Sequence, residues 1–417
     1  MNFNAYKFNP LIWIIIIGVL FLRIGTSMTV PFLAIFLHFK VGISLSITGI
    51  IVGTSYLSYT LGGFLGGYLS DRYGRKKTLG ISLLCYGLIF CGFGIAASID
   101  TSKVVVAGMF CTLNLFAGLF RIWSDTLTQA MLADVVTNEQ KVIAFNLRYT
   151  VANIGSALGP ILGAWIGFSG TIDSFYFTGV MCWAYLSLLL LIASKSKRQW
   201  ERQATNTNRI SIRMAAKTLF HDKSLRLYIV GGIISYLAYV QQESTLGQIL
   251  MQRFGGTEVF TMILATNAIT VVSLQIPITS YCLKRKSPLW LMKIGSFFIA
   301  GGLIGMGFSG LSYISYIISQ IIFTLGEIFV FSIGGIFIDD IAPENLRGAY
   351  FGSLGFQYLG KAIGPVIGGV LLQIFSGQIV LLIFAIIALG SIQLYDSSMK
   401  SNQNNRNIPH EKIPCTK

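Results

Sequence analysis

Apolar residues along this chain come in long unbroken runs, separated by short polar or charged connections. Twelve runs stand out, over 11–37, 45–69, 78–97, 104–130, 143–168, 175–194, 226–250, 258–280, 288–308, 312–337, 348–374 and 378–395. Each is close to or above the roughly 20 apolar residues that a helix needs to cross a bilayer. None alternates with the period of two that a barrel strand shows, and all are too long for one, which excludes a β-barrel. The pattern predicts an all-α membrane protein with twelve transmembrane helices. The first run begins near Leu11 and continues past Leu37, too long for a signal-peptide core, so it is expected to be a retained span.

The longest polar stretch separates six runs from six. It predicts a six-helix bundle over 1–194, a basic cytoplasmic linker over 195–225, a second six-helix bundle over 226–396 and a cytoplasmic tail over 397–417. Within the linker an amphipathic surface helix is expected around Ile210–Phe220. The two halves repeat. ADVVTNEQKVIAFNLRYTVANIGSALGPILGA, from Ala133, aligns without a gap on IDDIAPENLRGAYFGSLGFQYLGKAIGPVIGG, from Ile338, at a constant offset of 205 residues. The register pairs Asp134 with Asp339, Gly155 with Gly360, Gly159-Pro160 with Gly364-Pro365 and Gly163 with Gly368. A duplicated bundle of this kind places its binding site between the halves, near the membrane midplane.

Composition supports the membrane assignment: 53% of residues are hydrophobic and only 11% charged, against about 25% charged in soluble domains. The net charge of +15 could point to nucleic acid, but its cations sit in short loops and form no continuous basic face. Most fall on the side of the membrane that holds both termini, with Lys40, Lys103 and Arg253 the exceptions in the opposite loops. That asymmetry predicts cytoplasmic termini. The six cysteines lie mostly inside apolar runs and form no CxxC pair, and His38, His221 and His410 are dispersed. They give no disulfide framework, metal site or cofactor.

One connection is unusually charged. GGYLSDRYGRKKTLG, from Gly66 to Gly80, packs Asp71, Arg72, Arg75, Lys76 and Lys77 between the second and third runs. Residues Gly67 to Lys77 match the signature G-x-L-[AS]-D-R-x-G-R-[RK], and on this basis the chain resembles the major facilitator superfamily along essentially its whole length. NIGSALGPILGA, Asn153–Ala164, resembles the fifth-span motif of the twelve-span drug/proton antiporters, and ADVV at Ala133 and Gly326-Glu327 also resemble that subgroup. The resemblance implies the superfamily's fold, two pseudo-symmetric six-helix bundles. It also implies a conformational latch made by Gly67, Asp71, Arg72, Gly74, Arg75 and Asp134, with Asp71 facing the start of the eleventh span and Arg75 pairing with Asp134. The matching loop of the second half, PITSYCLKRKSP, keeps its cations but lacks the Asp and the paired glycines, so an asymmetric latch is expected. Gly155, Gly159 and Gly163 recur every fourth residue as one smooth ridge, which allows close helix packing, and Pro160 permits a bend. Gly364, Pro365 and Gly368 repeat the pattern in the second half.

Ionisable groups inside spans are costly, which makes them functional candidates. They are Arg23 in span one, Arg121 and Asp125 in span four, Glu243 in span seven, Glu327 in span ten and Lys361 in span eleven. By resemblance, spans one, four, seven and ten line a central cavity. Arg121 and Asp125 are four residues apart on one helical face and are expected to pair, either permanently or until cargo or a proton arrives. Glu327 has no cation within four residues and is the first candidate for carrying a proton, with Asp125 second. Glu243, in QQEST, is expected nearer the outer end of span seven, as a gate, a cargo contact or a solvated helix end. Arg23 stands where many drug exporters of this type carry an acid. With Arg121, and with Lys361 if it reaches the cavity, it points to an anionic cargo, because guanidinium groups bind carboxylates in bidentate fashion. A structural Arg23 paired with a neighbouring acid is the alternative.

The expectation is a monomeric secondary transporter in a bacterial inner membrane, exporting a small amphipathic or anionic organic molecule such as a drug, organic acid or siderophore in exchange for protons. Sodium coupling stays open. Proton-coupled import of a nutrient or siderophore is the alternative, and a non-transporting membrane sensor a more distant one. The chain shows no nucleotide-binding GxxxxGKS loop and no nucleophile–base constellation that would make it an enzyme.

Overall fold

The computed structural model describes residues 8–193, 212–343 and 347–407. The chain runs as α1 (Pro10–Thr29), α2 (Leu45–Tyr73), α3 (Arg75–Ser98), α4 (Lys103–Val135), α5 (Asn138–Trp165) and α6 (Ile172–Ala193). A linker helix α7 (Ile212–His221) follows, then α8 (Lys223–Tyr239), α9 (Leu246–Phe254), α10 (Glu258–Leu283) and α11 (Pro288–Phe308). The rest is α12 (Tyr313–Glu327), α13 (Gly334–Ile341), α14 (Arg347–Ser353), α15 (Leu359–Ile374) and α16 (Gly377–Asn407). No strand occurs among the described residues.

Local chemistry sets the ends. Asn9 caps α1, accepting from the Leu11 N–H at 3.0 Å, with Pro10 at the first helical position. Ser44, Ser102, Thr137, Asp222, Ser287 and Ser312 cap α2, α4, α5, α8, α11 and α12 in the same way. Only Gly74 separates α2 from α3, at φ +87°, a conformation that an L side chain rarely adopts. The amphipathic stretch expected around Ile210–Phe220 coincides with α7 where it is described; residues 194–211, most of the basic linker, lie outside the described residues. The last helix runs to Asn407, well into the stretch expected to be a tail, whose remainder, 408–417, is not described.

Four predicted spans are not continuous α-helices. Span one passes from α1 through a 3-10 turn at Val30–Phe32 and ends in a π-helical turn at Phe36–Lys40. Span seven breaks twice, leaving Gln241–Ser244 as one isolated turn between α8 and α9. Span ten has a π-helical stretch at Ile328–Ser332, directly after Glu327. In span eleven a 3-10 stretch at Leu354–Tyr358 separates α14 from α15. Three of these distortions hold or adjoin an in-span charge, the places where π- and 3-10 segments are often functional.

Buried side chains form two large clusters. One joins α1 to α6 around the rings of Phe36, Phe93, Phe110 and Phe175. The other joins α8 to α16 and also takes in Phe32 and Ile35 from span one. The halves meet along two helix pairs, α2 with α15 and α5 with α10. The α2–α15 contact is glycine-tight: a methyl group on Gly49 would fall on the Pro365 carbonyl, one on Gly53 on the Ala362 carbonyl, and one on Gly369 on the Leu45 carbonyl. Ser46 donates to Gln373 at the end of this seam, and Tyr149 to Gln275 across the other. The outer surface is apolar: Ile81, Leu88 and Ile95, seven residues apart on α3, are each more than half exposed. Among the described residues, eight helical segments are long and apolar enough to cross a membrane.

Candidate functional site

Glycine ladders position the site helices. In the first half Gly155, Gly159 and Gly163 of α5 lie against α1, where added methyl groups would meet Arg23 and Leu20, then Ile24 and Ser27, then Met28. In the second half Gly360, Gly364 and Gly368 lie against span seven, meeting Ile233 and Leu237, then Val240, then Gln241 and Thr245. Pro160 and Pro365 sit inside their helices, one residue after the middle rung.

The in-span charges do not pair as the sequence spacing suggests. Asp125 Oδ1 accepts from Arg23 Nη2 at 2.8 Å, across from α4 to α1, and lies 4.0 Å from Arg148 Nη2 of α5. The expected Arg121–Asp125 pair does not form. An arginine preceding an acid by four residues is the weaker orientation of such a pair. Here α4 is also pressed onto α2, with Gly118 on the Ser55 carbonyl, and Arg121 turns along α2 so that its Cζ lies 5.8 Å from the Tyr59 ring centroid. Its Nε is buried with no hydrogen-bond partner. The polar face expected along α4 is likewise divided among neighbours, Asn114 donating to the Ile51 carbonyl of α2 and Thr128 contacting the Tyr185 hydroxyl of α6.

Arg148 was missed because it stands near the inner end of span five, where it reads as one more loop cation. The structure puts its side chain at 11% exposure beside Asp125. Arg23 is therefore paired with a neighbouring acid, as one of two arginines beside Asp125.

Glu243 does not lie at a solvated helix end. It is half-buried in the isolated turn of span seven, and its Oε2 accepts from the Tyr56 hydroxyl of α2 at 2.6 Å, a hydrogen bond that joins the two halves. Lys361 reaches the same place. Its Nζ lies 4.8 Å from the Tyr239 ring centroid and 5.4 Å from those of Tyr56 and Tyr236, a three-tyrosine enclosure with the geometry of cation–π contacts. Among the described residues, no carboxylate comes within ion-pair distance of Lys361. Tyr236 stacks on Phe331 at 4.1 Å and on Tyr358 at 5.1 Å, and Tyr358 meets Tyr59 at 5.0 Å. An aromatic wall thus runs between Arg121 and Lys361.

Glu327 sits apart, on α12, held only by neutral donors. Oε2 accepts from Asn267 of α10 at 2.6 Å and Oε1 from the Tyr239 hydroxyl at 3.1 Å. Asn267 also donates to Thr324 at 3.0 Å, and Gln320 to Thr324 at 2.9 Å. Tyr56 and Tyr239 could be picked out in the sequence only as possible cavity residues, and Asn267 carried no signal at all, being one amide within an apolar run.

At the end of the bundle that holds the termini, Arg75 donates to the Asp134 carboxylate and, at 2.9 Å, to the Ala130 carbonyl. Arg72 lies 5.3 Å from the Tyr73 ring centroid. Gly67 and Asp71 fall in the last turns of α2, and the surroundings of their side chains, with the contact expected for Asp71, lie outside the described residues.

Two helical halves that meet across charged and aromatic side chains, with helices long and apolar enough to cross a membrane, have the build of a membrane transporter. The sequence pattern of the Major Facilitator Superfamily matches residues 15–358, and the chain belongs to that superfamily. It is 32% identical over 385 residues to the MFS-type transporter YqjV of Bacillus subtilis (strain 168), covering 91% of this chain and 90% of YqjV. It is 25% identical to a Na(+), Li(+), K(+)/H(+) antiporter of Planococcus maritimus, covering 84% and 87% of the two chains. Among solved structures the fold matches the nucleoside transporter NupG, with a TM-score of 0.78 and 14% identity over 94% of this chain and 100% of that one.

Proposed function

We propose that this integral membrane protein is a proton-coupled secondary transporter that moves a small organic anion by alternating access, with export in exchange for protons as its direction. The observation that carries the anion is the pair Arg121 and Lys361. They approach the α2 tyrosines from opposite halves, and among the described residues neither has an ion-pair partner. An anionic group suits the two cations, and an apolar or aromatic body suits the tyrosine and phenylalanine wall. Drugs bearing a carboxylate, organic acids and carboxylate siderophores have this chemistry. Glu327, held by neutral groups alone, is the carboxyl suited to taking up and releasing a proton. Export is supported by the NIGSALGPILGA motif and by the likeness to an antiporter. The same reading puts a monomer in a bacterial inner membrane with both termini in the cytoplasm, following the distribution of Lys and Arg.

One observation favours a second reading, proton-coupled uptake: Glu243 shares Tyr56 with Lys361, an arrangement in which a proton on the acid and an anion beside the cation assist each other. The test uses energised inside-out vesicles with a pH-sensitive dye, and anionic, neutral and cationic compounds. Proton release with anionic compounds only, lost in Glu327→Gln, is the expected result. Release with cationic drugs alone would overturn the anionic cargo, and proton-driven movement of anions in the opposite sense would overturn export.

A further inference from the structure

We infer that the first half carries, at its end opposite the termini, a binding site for the headgroup of an anionic phospholipid, with the phosphate between Lys40 and Lys103. The site is separate from the cargo path, because every residue that lines it belongs to the first half. A cavity of about 560 Å³ opens there between the ends of spans one, three, four and six. That volume falls within the roughly 300–1,000 Å³ of small-ligand sites. Lys40 of span one and Lys103 of α4 both line it, with Thr101 and with Asp173 of α6. The connections at this end hold three cations, Lys40, Lys103 and Arg253. Cations here work against the charge asymmetry that orients the spans, so two of them in one cavity call for a reason. Arg253 has one: it donates to the Gly310 carbonyl at 3.1 Å and to the Tyr316 hydroxyl. Among the described residues neither Lys40 nor Lys103 has an ion-pair partner, although Asp173 lines the same cavity.

The backbone brings the two lysines together. Lys40 closes the π-helical turn Phe36–Lys40, a distortion of span one that no in-span charge accounts for. Gly42, at φ +78°, leaves room for Lys103: a methyl group there would fall 2.7 Å from its Nζ. Helices α4 and α6 both start at the cavity, at Lys103 and Ile172, and their first N–H groups add positive potential to that of the lysines. Two lysines against one aspartate leave the lining one charge positive, which a phosphodiester balances. Asp173 and Thr101 suit the hydroxyl groups of a glycerol headgroup. The rim points to lipid as the source of the phosphate. Val104 and Val105, directly after Lys103, are 81% and 50% exposed, and Phe39, directly before Lys40, is 38% exposed. Apolar side chains exposed at the ends of spans face acyl chains, so the hydrocarbon reaches the level of the lysines. A lysine at that boundary lays its stem along apolar surface and holds its ammonium among the headgroups. Phe36 and Val106, both buried, give the cavity an apolar floor. A soluble anion would use the lysines and leave the apolar rim without a partner.

The experiment is hydrogen–deuterium exchange, read peptide by peptide, on the full-length protein in nanodiscs of phosphatidylcholine with and without phosphatidylglycerol. In wild type, phosphatidylglycerol is expected to slow exchange over 36–43, 99–106 and 170–174 by about threefold or more, since a ligand that ties these ends together opposes their local opening. Lys40→Gln/Lys103→Gln is expected to lose the slowing. Lys284→Gln/Lys286→Gln, which removes two cations from a connection at the end that holds the termini, is expected to keep it. Lys103→Gln alone is the second variant should the double variant not fold, and is expected to lose most of the slowing. No slowing in wild type, or slowing that survives in Lys40→Gln/Lys103→Gln, overturns the inference. Equal slowing by phosphatidylethanolamine, a zwitterion, overturns the anionic headgroup. Equal slowing by soluble glycerol phosphate in discs of phosphatidylcholine alone overturns the lipid and leaves a site for a soluble anion.

Discussion

Asp125→Asn offers the sharpest check on the geometry of the first half. The substitution keeps size and shape but removes the one charge that Arg23 Nη2 meets at 2.8 Å and Arg148 Nη2 at 4.0 Å. Attraction falls as 1/r, so the Arg148 contact supplies about 0.7 of the Coulomb attraction of the Arg23 contact, without its hydrogen bond. What remains is two guanidinium groups in a partly buried place with no acid between them. Breaking a buried pair costs about 3–5 kcal/mol. With Arg23 still 24% exposed and Asp125 11% exposed, the lower end, about 3 kcal/mol, is expected. The assay is thermal unfolding of the purified protein in detergent, followed by tryptophan fluorescence, on a double-mutant cycle. Asp125→Asn with Arg23→Gln is expected to show a coupling above about 1 kcal/mol, and Asp125→Asn with Arg121→Gln a coupling near zero. In addition, Asp125→Asn/Arg148→Gln should recover part of the loss by removing one of two repelling cations. A larger coupling to Arg121 than to Arg23 would refute the pairing and restore the i,i+4 ion pair that the sequence suggests.

Three further outcomes follow from the packing and the turns. Gly159→Ala puts a methyl group against the Ile24 carbonyl and the Ser27 hydroxyl, so it should lower stability by about 1–3 kcal/mol in the same unfolding assay, while Gly108→Ala, which meets nothing within 4 Å, should leave it unchanged. Gly74→Ala forces an alanine to φ +87° at the single residue between α2 and α3, with an expected cost of about 1–3 kcal/mol read as a lower unfolding temperature; there is open space around it, so the loss is conformational rather than steric. Asp134→Asn removes the partner of Arg75 at a site about one-third exposed, so stability should fall by less than about 1 kcal/mol, and any larger effect of this variant should appear in transport rate rather than in unfolding.

The architecture was readable because the bilayer leaves little choice: every span must satisfy its own backbone, and the glycine ladder at a 205-residue offset marks the duplication directly. The Arg75–Asp134 contact was readable because a specific motif carries it. Pairings inside the bundle were not, since they depend on which helix faces which. Arg121 and Asp125 are neighbours on one helix, yet Asp125 bonds to a residue 102 positions away. Arg148 was hidden by its place near a span end, where a cation is unremarkable. The breaks around Glu243 and Glu327 were hidden because no proline interrupts those stretches; only Pro31, in the 3-10 turn of span one, announces its own distortion. Glu243 looked peripheral because QQEST reads as a polar helix end, whereas the glycine ridge of α15 brings Val240 and Gln241 into close packing and draws that turn inward.

The ladders also explain why two halves built alike carry charge so differently. Gly155 packs against Leu20 and Ile24, and its counterpart Gly360 packs against Ile233 and Leu237. Arg23, one residue before Ile24, therefore occupies the rung that Tyr236, one residue before Leu237, occupies in the second half. On the opposite strip, Ser156 follows Gly155 and Lys361 follows Gly360. The cation of this rung has moved from the first helix of the pair to the second, and an aromatic ring stands in its former place. In the first half the cation is held by Asp125, which also takes Arg148; in the second it is held by rings and by no acid at ion-pair distance among the described residues. A ring contact stabilises a cation by roughly 0.5–2 kcal/mol, far less than an ion pair costs to break. The anionic cargo proposed above would therefore have little to displace at Lys361 and much to displace at Arg23. The same duplicated framework thus holds this rung's cation beside an acid in the first half and against tyrosine rings in the second.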